Sequence, residues 1–144
     1  MKNDALFCVG QKALIEKDSK ILILNDPMKH LDFPGGKIQE GEARVGDASS
    51  LIDALKREVI EETGLEITVS DPFAVWYYEF PELHRNYGKV VYLIAFKCQY
   101  ISGEIQLSDE HNNFQWVDKK SYKLLDDGSE HFGVLEKYFN ESQL

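Results

Sequence analysis

The sequence predicts an α/β sandwich built on a mixed β-sheet. Two observations carry this: strand-like runs stand before and after one central amphipathic helix, and helical patterns close the chain. With 144 residues and 43% hydrophobic content, the chain is long enough for one domain with a real core, and residues 1–144 are expected to form that single domain.

Ala5 to Glu16 and Lys20 to Asn25 are rich in Val, Ile, Leu and Phe, and Asp18-Ser19 separates them as a hairpin turn would. Asp26-Pro27 breaks the pattern, and Leu31-Asp32-Phe33 leads as a short extended piece into Pro34-Gly35-Gly36. Glycines there let the backbone pass close to a ligand or metal. Ser50 with Asp53 three residues on resembles a capping box, so a helix starts at Ser50, or earlier near Asp47, and ends at Gly64. Glu66 to Val69 and Phe73 to Phe80 read as two strands. The aromatics Trp76, Tyr77, Tyr78 and Phe80 fit a core better than a base-stacking platform. Pro81 to Lys89 is a polar loop with His84, Arg85 and Lys89, either a phosphate contact or a solvated hairpin tip. Val90 to Tyr100 is a long strand, Ser102-Gly103 turns the chain, and Glu104 to Leu107 is a short strand. Ser108 to Asn113 is a loop before the strand Phe114 to Val117. Lys119 to Leu125 and Glu130 to Phe139 read as helices, the second with Phe132, Leu135 and Phe139 on one stripe.

The central helix carries the chemistry. Glu58, Glu61 and Glu62 stand at i, i+3 and i+4, so their carboxylates share one face. Like charges so placed cost roughly a few tenths of a kcal/mol per pair unless a cation sits among them. A solvated acidic face would lie opposite the apolar stripe Leu51, Leu55 and Val59, near Asp53 and Lys56. Glu62 instead falls between Leu51 and Leu55 in angle, which favours a metal site. Hard oxygen ligands on a rigid element suit Mg²⁺ or Mn²⁺, completed by water and phosphate oxygens.

Composition narrows the partners. A formal net charge of -9 disfavours a nucleic-acid polymer, though not a nucleotide whose charge a metal offsets. The longest apolar run, Val90 to Phe96, is far short of the roughly 20 residues that span a bilayer, and no signal-peptide pattern opens the chain, so no membrane partner is expected. Cys8 and Cys98 form no metal-ligand pattern, and a reducing cytoplasm is the default location.

Gly36, Glu42, Arg57, Glu58, Val59, Glu61, Glu62, Gly64 and Leu65 together resemble the box of the Nudix hydrolase family, MutT-like. Fourteen residues separate Glu42 from Arg57 where the family pattern has seven; setting Ala43 to Ser49 aside as an insertion restores the register. The resemblance implies the Nudix fold, an α/β/α sandwich, and hydrolysis of a nucleoside diphosphate linked to another group, with water attacking phosphorus. It implies Glu58, Glu61, Glu62 and the Gly35 carbonyl as ligands of Mg²⁺ or Mn²⁺. Arg57 is then expected to orient a box carboxylate, and Glu42 to do similar work. Lys37 and Arg85 are the candidate substrate-binding cations. Glu110, on a loop well past the box, is the candidate general base, with Asp109 and His111 as competitors, and Glu58 belongs to the same catalytic set. An acidic surface turn is the bland alternative for that loop.

Pro81 matches a cue for ADP-ribose hydrolases, and Tyr77, Tyr78 and Tyr87 match one for dinucleoside-polyphosphate hydrolases; the two cancel. On the expectation of one domain, without the extra N-terminal domain that ADP-ribose hydrolases often have, the resemblance favours a nucleoside triphosphate or small nucleotide as substrate. A homodimer is compatible with this reading. The alternative is a Nudix-like domain that senses a nucleotide without cleaving it.

Overall fold

A computed structural model describes residues 2–80 and 88–141; Pro81, His84, Arg85 and Tyr87 lie outside the described residues. Seven strands form one sheet: β1 (Cys8–Lys17), β2 (Lys20–Asn25), β3 (Leu31–Asp32), β4 (Gly35–Lys37), β5 (Glu66–Glu79), β6 (Val90–Ser102) and β7 (Asn113–Val117). The order is β3-β2-β1-β6-β5, with β4 also on β1 and β7 also on β2. The β1–β6 pair is parallel and the other pairs are antiparallel, so the sheet is mixed. Asp18 and Ser19, both at positive φ (52° and 63°), make the tight turn between β1 and β2.

Period-2 alternation gives the sheet two apolar faces. Leu14, Ile21 and Ile23 point to one side and pack with Phe132, Leu135 and Phe139 of helix α2 (Glu130–Glu141). Ala13, Ile15, Leu22 and Leu24 point to the other and pack with Leu55 and Val59 of helix α1 (Ser50–Thr63). Helices on both faces make the expected α/β/α sandwich.

Several elements differ from the sequence expectation. The strand-like runs on either side of Ser70 to Pro72 are one strand, β5, with register shifts on both sides of Pro72. β5 is the last strand in the sheet order, where a proline without an N–H is tolerated at a bulge. Glu104 to Leu107 is not a strand: the Gln106 and Ser108 N–H groups donate to the carbonyls of Thr63 and Glu62, partnering the open C-terminal end of α1. Gly35 to Lys37 pairs with β1 as a strand of its own. Lys119 to Leu125 yields only a 3₁₀ turn, Tyr122–Leu125. The capping box is absent, since no side chain caps α1 and the Ser50 hydroxyl accepts the Arg44 N–H (3.2 Å) instead. The aromatics of β5 divide by face: Trp76 packs against the α2-side core, whereas Tyr77 is 42% exposed.

Candidate active site

β4 runs antiparallel to the middle of β1, opposite Gly10, Gln11 and Lys12, and the box helix packs over it. Gly35 sits at φ +130°, and a Cβ there would collide with the Gln11 carbonyl oxygen. A Cβ on Gly36 would collide with the Glu58 carboxylate. Bare backbone is therefore what lets the carboxylates of α1 approach. The Gly35 N–H donates to Glu62 Oε2 at 3.0 Å. Gly36, Lys37 and Glu58 share a small cavity with Gln11, Ile38, Glu42, Ala54 and Leu55.

The phase argument from the sequence fits the burial along the helix. Glu62 is 6% exposed and faces inward with Leu55 and Val59. Glu58 is half-buried and Glu61 is exposed. Arg57 donates to Glu61 Oε1 (3.0 Å) and to Glu42 Oε2, while Glu42 Oε1 accepts the Gln39 N–H (2.6 Å). Arg57 thus ties the loop after Gly36 to the helix and pairs with Glu61, the exposed carboxylate of the three. Among the described residues no three Asp, Glu, His or Cys side chains are grouped to hold a metal ion, so a cation here would draw on two carboxylates and on backbone oxygen.

Electrostatics mark Glu58 and Glu62 as short of positive charge. Burial pushes the Glu62 carboxyl up to about 7, against the pull of Lys12 and the Gly35 N–H. Burial and the neighbouring Glu42 also raise Glu58 above its ordinary value. Two under-compensated carboxylates, Glu62 on the Gly35 N–H and Glu58 against Gly36, together with the backbone oxygens of that stretch offer hard-oxygen donors that fit a divalent cation. Lys37, which lines the cavity, places its Nζ over the Phe80 ring at 5.3 Å.

A polar cluster that the sequence reading missed lies behind β4. Lys12 Nζ contacts Asp32 Oδ1 at 3.0 Å and donates to the carbonyls of Phe33 (3.2 Å) and Gly35 (3.4 Å). His111 Nε2 meets Asp32 Oδ2 at 3.0 Å, and His131 Nε2 lies 3.6 Å from Asp32 Oδ1. Burial opposes charge on Lys12 and His111, but the neighbouring carboxylates, Asp32 foremost and Glu62 with it, outweigh it and both pKa values are raised. Burial likewise opposes ionisation of Asp32, yet Lys12 and His111 hold it well below the usual carboxylate range. One signal was available: Gln11-Lys12 interrupts an otherwise apolar run in β1.

The loop proposed to supply the base reaches the box helix through Ser108, whose N–H donates to the Glu62 carbonyl (3.1 Å). Asp109 and Glu110 are exposed, whereas His111 is buried against Asp32. The segment Ala43 to Ser49 is a series of turns outside the helix. Arg44 pairs with Asp47 (2.9 Å), and Asp47 Oδ1 accepts the Ser49 N–H (3.1 Å) and hydroxyl (2.8 Å). With Gln39 to Glu42 and the first turns of α1, Arg44 walls a second, open groove beside the cavity.

A NUDIX domain model matches residues 9–138. No curated protein matches the sequence. Among solved structures, a MutT protein from Methanosarcina mazei Go1 superposes with a TM-score of 0.76 at 23% identity, over 99% of this chain and 100% of that one. An Ap4A hydrolase from C. elegans gives 0.69 at 22% identity, covering 91% and 94% of the two chains. An ADP-ribose pyrophosphatase from Streptococcus suis 89-1591 gives 0.68 at 20% identity, covering 95% and 92%. At these identities the structures share the fold with this chain, while their different substrates leave its own open.

Proposed function

The chain belongs to the Nudix family, hydrolases of phosphoric anhydride bonds, and from that premise we propose that it is a metal-dependent pyrophosphohydrolase of a nucleoside triphosphate or small nucleotide derivative. The observation that carries the proposal is the approach of the Glu58 and Glu62 carboxylates to the side-chain-free backbone of Gly35-Gly36. Glu58, Glu62 and the Gly35 carbonyl would hold Mg²⁺ or Mn²⁺, with Glu61 joining when it leaves Arg57. Bound there, such an ion neutralises phosphoryl oxygens and acidifies a water. Arg57 positions Glu42 and Glu61. Lys37 and Arg85 contact the substrate phosphates, and Glu110 accepts the proton of the attacking water. A cytoplasmic location goes with this reading and with the free thiols of Cys8 and Cys98.

The test is incubation of the pure protein with Mg²⁺ and a panel of nucleoside triphosphates, nucleotide sugars, dinucleoside polyphosphates and ADP-ribose. Turnover of a triphosphate or small nucleotide is expected, and excess chelator should abolish it. The pairing of Glu61 with Arg57, and the absence among the described residues of three carboxylate, imidazole or thiol side chains grouped to hold an ion, favour a second reading, a domain that binds a nucleotide without cleaving it. Measurable nucleotide binding with no product from any panel member would establish that reading instead.

A variant lacking residues 43–49 should keep its metal dependence and a kcat within roughly tenfold, since the segment's bonds run within itself or to the first turn of α1, at Ser50 and Asp53, and the box carboxylates lie further along that helix. Confinement of the change to KM would identify the segment as a specificity loop. Loss of Mn²⁺ binding in a folded variant would place it in the metal site and refute the alignment.

A further inference from the structure

We propose that Lys12 is a resident cation of the active site, sharing the Gly35 carbonyl with the divalent ion and limiting how much divalent metal the site takes up. The inference rests on the metal reading above. Lys12 lies in the middle of β1, directly opposite Gly35, with its side chain only 11% exposed. A buried ammonium needs partners, and this one has three: the Asp32 carboxylate and the carbonyls of Phe33 and Gly35. Its three donors face three oxygens, much as a metal gathers its ligands.

One peptide unit's neighbours link the ammonium to the box helix. The N–H of Gly35 donates to Glu62, and the C=O of the same residue accepts from Lys12. The proposed metal ligand therefore already carries a positive group on one side. A carbonyl has two lone pairs, so it can serve both, but a divalent ion on that oxygen would face a like charge in a half-buried setting where screening is weak. Asp32 keeps the ammonium in place rather than letting it turn to solvent; His111 holds its other oxygen, Oδ2, and His131 lies 3.6 Å from the oxygen that Lys12 contacts. The charged groups that bear on this site are the carboxylates Glu58, Glu62 and Asp32, with Glu42 and Glu61 acting on Glu58, against Lys12, Arg57 between Glu42 and Glu61, Lys37 at the cavity and the imidazoles of His111 and His131 near Asp32. Removal of the lysine leaves a charge deficit that a divalent ion can fill. An ion pair that merely pinned the loop would behave in the opposite way, because its loss would loosen Gly35 and weaken metal binding.

The experiment is a Mn²⁺ titration of the full chain without nucleotide, following free Mn²⁺ by its EPR signal, with circular dichroism to confirm folding. Lys12→Met should bind Mn²⁺ on the order of tenfold more tightly than wild type, or take up an additional ion. Lys12→Arg, which keeps the charge, should reproduce the wild-type isotherm. Should Lys12→Met fail to fold because Asp32 is left unpaired, Lys12→Met/Asp32→Asn removes both charges and should show the same tightening. Unchanged or weaker binding in the folded variants would overturn the proposal while leaving the metal site intact. A wild-type protein that binds no Mn²⁺ would overturn the metal reading, and this inference with it.

Discussion

Glu62→Gln should lower kcat by roughly 10² to 10⁴ in the presence of Mg²⁺, the loss that follows when several kcal/mol of metal-borne charge stabilisation is removed. The same variant should be more stable than wild type when metal is absent and the pH is high. The Glu62 carboxyl is raised from its ordinary 4.5 to about 7 by burial. The folded protein therefore holds this proton more tightly than the unfolded chain does. Its contribution to stability is complete below about pH 4.5 and is lost as the pH rises through about 7. The penalty at pH 8 is on the order of 3 kcal/mol, at about 1.4 kcal/mol per pKa unit. Glutamine carries no such penalty and can still accept the Gly35 N–H. Thermal melts in chelator should then coincide below about pH 4.5, diverge as the pH rises to about 7 and stay apart above it, with the variant melting higher. Saturating Mn²⁺ should reverse the order, because metal binding stabilises only the wild-type fold. Full activity in Glu62→Gln would remove the carboxylate from the metal site, and parallel melting curves at every pH would mean that its burial carries no charge penalty.

Glu110→Gln is expected to lose about 10² to 10⁴ in kcat with little change in KM, the range for removing a general base. Glu110 is exposed in a turn whose start is anchored to the box helix by the Ser108 N–H on the Glu62 carbonyl. Asp109 shares that exposure. His111 differs, since its ring is buried against Asp32, so His111→Ala has to be read beside a melting curve. A wild-type rate in Glu110→Gln together with a crippled Asp109→Asn or folded His111→Ala would move the base to that neighbour. Near-normal rates in all three would place it on a box glutamate.

Local patterns in the chain suffice for the helix that bears the carboxylates, the turn at Asp18-Ser19, and the Pro-Gly-Gly approach, because helical phase, turn chemistry and glycine all act within a few residues. The burial of Glu62 was legible for the same reason: its angle on the helix placed it with Leu55 and Val59. Pairings between distant segments were not legible. Glu104 to Leu107 has the composition of a strand, but its neighbour in space is the open end of α1, whose unpaired carbonyls take its N–H groups. The Ser50 hydroxyl, suited to capping its own helix, holds Arg44 of the inserted turn instead.

By itself the sequence determined the family, the mixed α/β architecture and the position of the acidic face, since each depends on spacing along one element. Only the tertiary structure decided that Arg57 pairs with both Glu61 and Glu42, and that Lys12, Asp32, His111 and His131 meet beside Gly35. Those groups come from β1, β3, a late loop and α2, and no periodicity links them. Sheet order alone brings them together, and burial then requires that each charge find a partner of opposite sign.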